Sequence, residues 1–222
     1  LPWVLFAVAT LGAGLMLGGY WAYGVLGWGG YWGWDPVENS SLVPWLVGMA
    51  LLHTLLAQNR MGKFLRTNHA LALASFVLVL YSTFLTRSGV LGDASVHSFT
   101  DPGSVVYGVL LLLVGGTGLL GLILLILRWR GMRPLGESAA ILTREVVLGA
   151  GTLSLVLIAV VVLFGTSLPI FSTQRVEPAF YDDTTLPIAI AIGLLIGLSL
   201  YAQWEEQDLV GLLRRSWKSA AA

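Results

Sequence analysis

The chain has 222 residues, 56% of them hydrophobic and 11% charged, with a mean hydropathy of +0.81 and no net charge. A soluble domain carries about 25% charged residues, so this composition excludes an ordinary soluble domain and reads as a polytopic membrane protein; zero net charge argues against nucleic acid as a partner. The absence of cysteine excludes disulfides and thiolate metal ligands.

No basic-headed secretory signal opens the sequence. It starts Leu-Pro-Trp, already inside an apolar run, and is expected to be an internal piece of a longer protein, with residues 1–222 forming one transmembrane domain. About 20 apolar residues cross a bilayer as a helix. Six runs qualify: Trp3–Tyr23, Pro44–Gln58, Asn68–Leu85, Ser104–Leu127, Val146–Phe164 and Leu186–Ala202. The second is short unless its helix starts earlier, near the N-cap residues Ser40 or Ser41. The expected fold is an all-α membrane helix bundle with no internal repeat. Glycines recur inside the spans, at 12, 14, 18, 19, 115, 116, 118, 121, 193 and 197. Small residues of this kind let helices pack closely.

Basic residues in short loops face the cytoplasm. Arg60, Lys63, Arg66, Arg128, Arg130, Arg133, Arg144, Arg214, Arg215 and Lys218 fall on one side, and only Arg87 and Arg175 on the other. The second side also holds Asp35, Glu38, Asp93, Asp101, Glu177, Asp182 and Asp183. This places the aromatic segment 24–43 and the loops 86–103 and 165–185 on the outer face.

The aromatic segment reads W-G-G-Y-W-G-W-D-P-V-E-N, Trp28 to Asn39. Trp and Tyr often form an interfacial belt. A belt needs neither Gly29, Gly30 and Gly33 nor the acids that follow. Glycine allows backbone to approach a flat ligand, and irregular backbone at this depth survives where protein or a cavity covers it. The segment therefore reads as a platform for a large, flat, apolar molecule with polar edges. Asp35 suits an N-cap, Pro36 a first helical position, and Glu38 the third position of a capping box. A short interfacial helix is expected from Pro36, bending near Pro44 into the second span.

Three histidines follow. His53 lies inside the second span, where an ionisable group is a functional hypothesis and imidazole is a common haem-iron ligand. The plain alternative is a hydrogen bond to a neighbouring helix. His97 lies on the outer loop, on the platform's side, and is an axial-ligand candidate. His69, at the cytoplasmic start of the third span, reads as an interfacial residue. Nine residues past Pro44, His53 is about 14 Å down its helix, so His53 and His97 are expected at two different sites.

The stretch Trp28 to Leu46, W-G-G-Y-W-G-W-D-P-V-E-N-S-S-L-V-P-W-L, resembles the WWD signature of membrane haem-handling proteins. Its D-P-V-E-N-S-S and P-W-L most resemble the F subunit of the cytochrome c maturation system, the CcmF family. A-L-L-H at 50–53, F-L-T-R-S-G-V-L at 84–91, S-V-H-S-F at 95–99, L-T-R-E at 142–145, G-T-S-L-P-I at 165–170 and V-E-P-A-F-Y at 176–181 extend the likeness over nearly the whole chain. Tyr31 and Gly33 depart from it, standing where Trp and Phe are common. The resemblance implies a haem b (iron protoporphyrin IX) ligated in the membrane by His53. It also implies an outer haem on a platform of Trp28, Gly29, Trp32, Trp34, Asp35, Pro36 and Glu38, with His97 on its iron. In the family, a further outer histidine precedes the signature and a further membrane histidine follows this region. Arg87 and Arg175 are candidates for haem propionates or loop salt bridges.

The implied activity is that of a holocytochrome c synthase (haem lyase) subunit in the bacterial inner membrane, its WWD segment periplasmic. Implied partners are a haem chaperone, apocytochrome c, other maturation subunits, membrane lipid and a quinol that reduces the membrane haem. The loops place no general acid or base. Two alternatives stand beside this: a haem transporter or relay without ligation chemistry, and a transporter of a lipid-linked substrate without haem.

Overall fold

Six α-helices, with no strand among the described residues, make up the computed structural model of the chain. It describes residues 1–25, 30–99, 102–132, 143–172, 176–204, 210, 211 and 217. The helices are α1 (Pro2–Val25), α2 (Pro36–Met61), α3 (Leu65–Arg87), α4 (Ser104–Arg128), α5 (Arg144–Phe171) and α6 (Pro178–Tyr201). All six are long and apolar enough to cross a membrane.

α2 is the centre. It packs on α1, α3 and α5; α6 leans on α5, and α4 on α3 alone. The core joins Val43, Leu46, Val47 and Ala50 of α2 to Leu155, Ile158, Ala159 and Val162 of α5 and Tyr181 of α6. α4 buries no residue. Apart from the stripe against α3, its apolar surface faces outward, as suits a helix in lipid.

Two of the expected boundaries move. α2 has no separate interfacial helix and no start at Ser40 or Ser41. One helix runs from Pro36 through Pro44 to Met61. Its true cap is Asp35, whose Oδ1 accepts from the Val37 N–H at 2.9 Å and the Glu38 N–H at 3.4 Å. Ser40 and Ser41 instead donate back to the carbonyls of Val37 and Glu38, and Ser40 Oγ meets Ser82 Oγ of α3 at 2.9 Å. At its other end Gly62 is left-handed (φ 70°) and returns its N–H to Gln58 O, the usual αL stop.

The segment 165–185, expected as loop, is mostly helix: α5 continues to Phe171 and α6 begins at Pro178. Close packing explains the gain. A Cβ on Gly165 would lie 2.6 Å from the Tyr181 hydroxyl, so these two helix ends touch where only glycine fits.

The expected close packing through small residues holds at some glycines and fails at others. Gly12 abuts the Trp45 indole and Gly121 abuts Leu73, whereas Gly14, Gly18, Gly115, Gly116, Gly193 and Gly197 have open space beside them.

Side-chain bonds sort the helix ends. Arg66 donates to the Trp129 and Met132 carbonyls, Lys63 pairs with Glu145 at 2.8 Å, and, between backbones, the Arg144 N–H donates to Gln203 O. These define the basic end. Trp34 to Asp182 and Ser95 to Asp35 join the opposite end.

Candidate functional site

The segment after α1 turns back on itself before α2 starts. Trp34 adopts a left-handed backbone (φ 54°), a conformation that costs a non-glycine residue about 1–3 kcal/mol. Three contacts hold it there. Its indole stacks on Tyr181 (centroids 4.9 Å apart, planes 12° apart). Its Nε1–H donates to Asp182 Oδ1 at 2.8 Å. The buried Asn39 amide donates to its carbonyl at 3.0 Å. Glu38 completes the turn by accepting the Gly33 N–H at 3.0 Å. The capping-box glutamate thus reaches two residues past the N-cap that was its expected target.

Trp32, by contrast, stands edge-on to Trp34 (6.3 Å, 86°) and turns toward α1. It lines a cavity of about 360 Å³ with Gly14, Gly18, Glu38, Ser41 and His97. Trp32 Nε1 is buried there without a partner among the described residues. Trp34, Asp35 and Pro36 line a different, smaller cleft of about 210 Å³ against Tyr181 and Pro169. The aromatic segment is therefore split: Trp32 and Glu38 face the His97 cavity, while Trp34 pins the segment to α6. Trp28 and Gly29 lie outside the described residues.

His97 reaches the cavity through a folded loop. Leu91, fully buried, packs with Phe84, Leu85 and Val37, and its carbonyl accepts the N–H groups of Ala94 and Ser95. Ser95 Oγ accepts the His97 N–H at 3.1 Å and donates to Asp35 Oδ1 at 2.7 Å. His97 Nδ1 lies 3.2 Å from the same Asp35 oxygen, close enough for an ion pair though not aligned as a hydrogen bond. The Phe99 N–H closes the loop on Thr86 O, and the Arg87 guanidinium lies over the Phe99 ring at 4.2 Å. Arg87 stays solvent-exposed beside the site; Arg175 lies outside the described residues.

His53 sits elsewhere. It lines a crevice of about 310 Å³ with Trp45 and Met49 of α2, Leu148 and Gly151 of α5, and Ile192 and Ser199 of α6. The two histidine cavities share no lining residue. His53 Nδ1 is 2.7 Å from Met49 O. A carbonyl only accepts, so Nδ1 carries the proton and Nε2 keeps its lone pair for a metal. With α2 starting at Pro36, His53 lies about 26 Å along the helix and about 12 Å from its basic end. It is farther from the start of its helix than the sequence suggested, because α2 begins eight residues before Pro44. His69 also hydrogen-bonds its own helix, at Leu65 O, and is exposed beside Arg128 and Met132 at the basic end.

Both cavities suit a flat ligand held by a nitrogen. Each has one imidazole and walls that are mainly apolar, and cavities of about 300–1,000 Å³ are usual for small-molecule sites. Gly14 and Gly18 at the His97 cavity, and Gly151 at the His53 crevice, have no atom within 4 Å of where a Cβ would stand, so a side chain there would occupy cavity space. Ser95, Tyr181 and the α1 glycine face were not singled out from the sequence as site residues. The S-x-H spacing of Ser95 and His97, a local turn signal, was the one available clue.

The protein-family profile described as Cytochrome C assembly protein matches residues 1–91. The chain is 40% identical over 227 aligned residues to the cytochrome c-type biogenesis protein CcmF of Pseudomonas aeruginosa, covering 96% of this chain and 33% of that protein. It is 38% identical over 213 residues to CcmF of Escherichia coli, covering 91% and 32%. The solved structure entitled Cytochrome c Heme Lyase CcmF superposes with a TM-score of 0.70 at 34% identity, over 98% of this chain and 33% of that one. The chain spans about a third of the length of the relatives it matches. These matches, with six helices able to cross a membrane, make it a multi-pass membrane protein that belongs to the CcmF family of cytochrome c biogenesis proteins.

Proposed function

We propose that this chain carries the haem-handling part of a cytochrome c haem lyase. The observation that carries the reading is the shared cavity of Trp32, Glu38 and His97 under the open Gly14–Gly18 face of α1. Haem is the substrate at this outer site. Trp32 and the apolar wall of α1 hold its face, His97 supplies a nitrogen to its iron, and exposed Arg87, at the end of α3 over Phe99, stands beside that loop for a carboxylate of haem or partner. The outer side is periplasmic by the distribution of Lys and Arg, where a haem chaperone and the C-x-x-C-H segment of an apocytochrome c would meet the site alongside other maturation subunits. Each cysteine thiol adds across one vinyl group to form a thioether. We assign no acid or base to this step among the described residues; the chain's contribution is positioning and exclusion of water.

His53 fits a resident haem b in the α2–α5–α6 crevice. That group, when bound, supplies electrons taken from a membrane quinol to keep the outer iron reduced. His53 holds its ring fixed through Met49 O, and Trp45, Leu155 and Ile192 keep the crevice apolar.

Absorption spectra of the full-length protein, oxidised and reduced, test the assignment. His53→Ala should remove the membrane haem b bands, and His97→Ala should remove only the chaperone-derived pigment. Reconstitution with ferrous haem chaperone and apocytochrome c should give covalent product. Its absence at every protein level would leave the relay without ligation chemistry as the reading, and purified protein without any Soret band would leave the lipid-linked-substrate transporter.

A further inference from the structure

Asp35 caps α2, but a cap does not need what this residue has. Serine, threonine or asparagine would accept the Val37 and Glu38 N–H groups equally well. A carboxylate is the costlier choice here, because Asp35 is only 9% exposed and a buried charge demands compensation. Among the described residues, the one cation-capable side chain within ion-pair distance is His97, at 3.2 Å. Ser95 stands between them, bonded to both, and holds Asp35 Oδ1 and the His97 backbone in one frame. His97 Nδ1 faces that oxygen, and the ring lines the cavity.

We infer that Asp35 is the positioning residue for His97: its carboxylate, steadied by Ser95, fixes which imidazole nitrogen faces the outer cavity and raises the donor strength of that nitrogen toward iron. Histidines that ligate metals commonly donate their second N–H to a carboxylate or a backbone carbonyl. In this chain a carboxylate stands at that place for His97, 3.2 Å from Nδ1, and the Met49 carbonyl takes the hydrogen bond from His53. A charged partner gives the outer histidine the more electron-rich ring, which favours the oxidised form of any iron it binds relative to a carbonyl-bonded histidine. The same carboxylate starts the helix that carries His53, so the outer ligand is registered on the frame of the inner one. The inference rests on His97 being the outer iron ligand.

The test uses the full-length protein in detergent, titrated with haem and followed by Soret absorbance and by redox titration. Asp35→Ser keeps a helix cap but cannot reach His97. Its His97-dependent haem affinity should fall about 10–100-fold, with a more positive midpoint potential for that haem, while the His53 haem bands stay at native intensity. Asp35→Asn, which retains an acceptor oxygen at full length, should recover most of the affinity but not the potential. Affinity within twofold of native and an unmoved potential in Asp35→Ser overturn the inference. If Asp35→Ser also loses the His53 bands, it has unfolded, and Ser95→Ala decides: a weaker outer site supports the inference and an unchanged one overturns it. His97→Ala is the reference. If it titrates like the native protein, the ligand assignment itself has failed, a result separable from failure of Asp35 alone.

Discussion

The two histidine sites are built from opposite materials. His53 is held by its own helix: its partner is the carbonyl four residues back, and its crevice is walled by three helices. His97 is held by contacts far apart in sequence: a loop anchored on Leu91, a serine two residues away and a carboxylate from the start of α2. The first site needs only that α2, α5 and α6 pack. The second needs a turn, a cap and a strained Trp34 to be correct together. A resident group belongs in the first kind of site. A substrate that must enter and leave belongs in the second, at a helix end under a loop.

Filling each cavity separately is the strongest way to break that contrast. Gly151→Leu puts a side chain into the His53 crevice, and Gly18→Leu puts one into the His97 cavity; neither glycine has an atom within 4 Å of the new Cβ. Leucine has the better helix propensity by about 1 kcal/mol, so helix α5 or α1 gains while the ligand space is lost. Gly151→Leu should abolish the membrane haem bands and leave haem titration at the outer site within twofold of native. Gly18→Leu should do the reverse. If either variant removes both pigments, the sites are not independent.

Much of this was legible in one dimension. Hydropathy located all six helices, because a run of about 20 apolar residues is a length requirement of the bilayer. The separation of His53 from His97 was also legible, since both lie on a ruler of known rise. What hydropathy missed were helical turns made of polar residues. Y-D-D-T-T at 181–185 read as loop and N-S-S at 39–41 as part of a separate interfacial helix, yet they lie in α6 and in one continuous α2. Their polar atoms are satisfied inside the protein, by Ser82 for Ser40 and by the Tyr181 carbonyl for Thr185. The divided roles of Trp32 and Trp34 depend on a positive φ and on Tyr181, and Asp35's partner Ser95 lies 60 residues away. No local pattern encodes such pairs.

A second test sharpens the contrast from the basic end. Lys63 and Glu145, each 7% exposed, pair at 2.8 Å and tie the α2–α3 turn to the first turn of α5. Removing one partner of a buried pair costs about 3–5 kcal/mol, because the other charge is stranded. Lys63→Met should therefore lower the thermal midpoint of the protein and weaken the His53 crevice, which lies between the helices that the pair joins. Lys63→Met with Glu145→Gln should recover most of the loss. The outer titration should be the less affected of the two, and a larger effect on the outer site than on the inner one would contradict the packing described here.

The smallest expected effect comes from Trp34→Phe. Phenylalanine keeps the stack on Tyr181 but loses the donor to Asp182, a hydrogen bond worth about 0.5–1.5 kcal/mol, or somewhat more to a charged acceptor. Trp34 does not line the His97 cavity, so haem affinity at the outer site should stay within about twofold while stability falls by about that bond. A platform residue would behave in the opposite way, with stability kept and affinity lost. Trp32→Phe supplies that comparison: its indole wall faces the cavity and its Nε1 has no partner among the described residues to lose. Its cost should appear in haem binding and hardly at all in unfolding. The two tryptophans, one glycine apart, then separate the pin from the platform by which measurement each one moves.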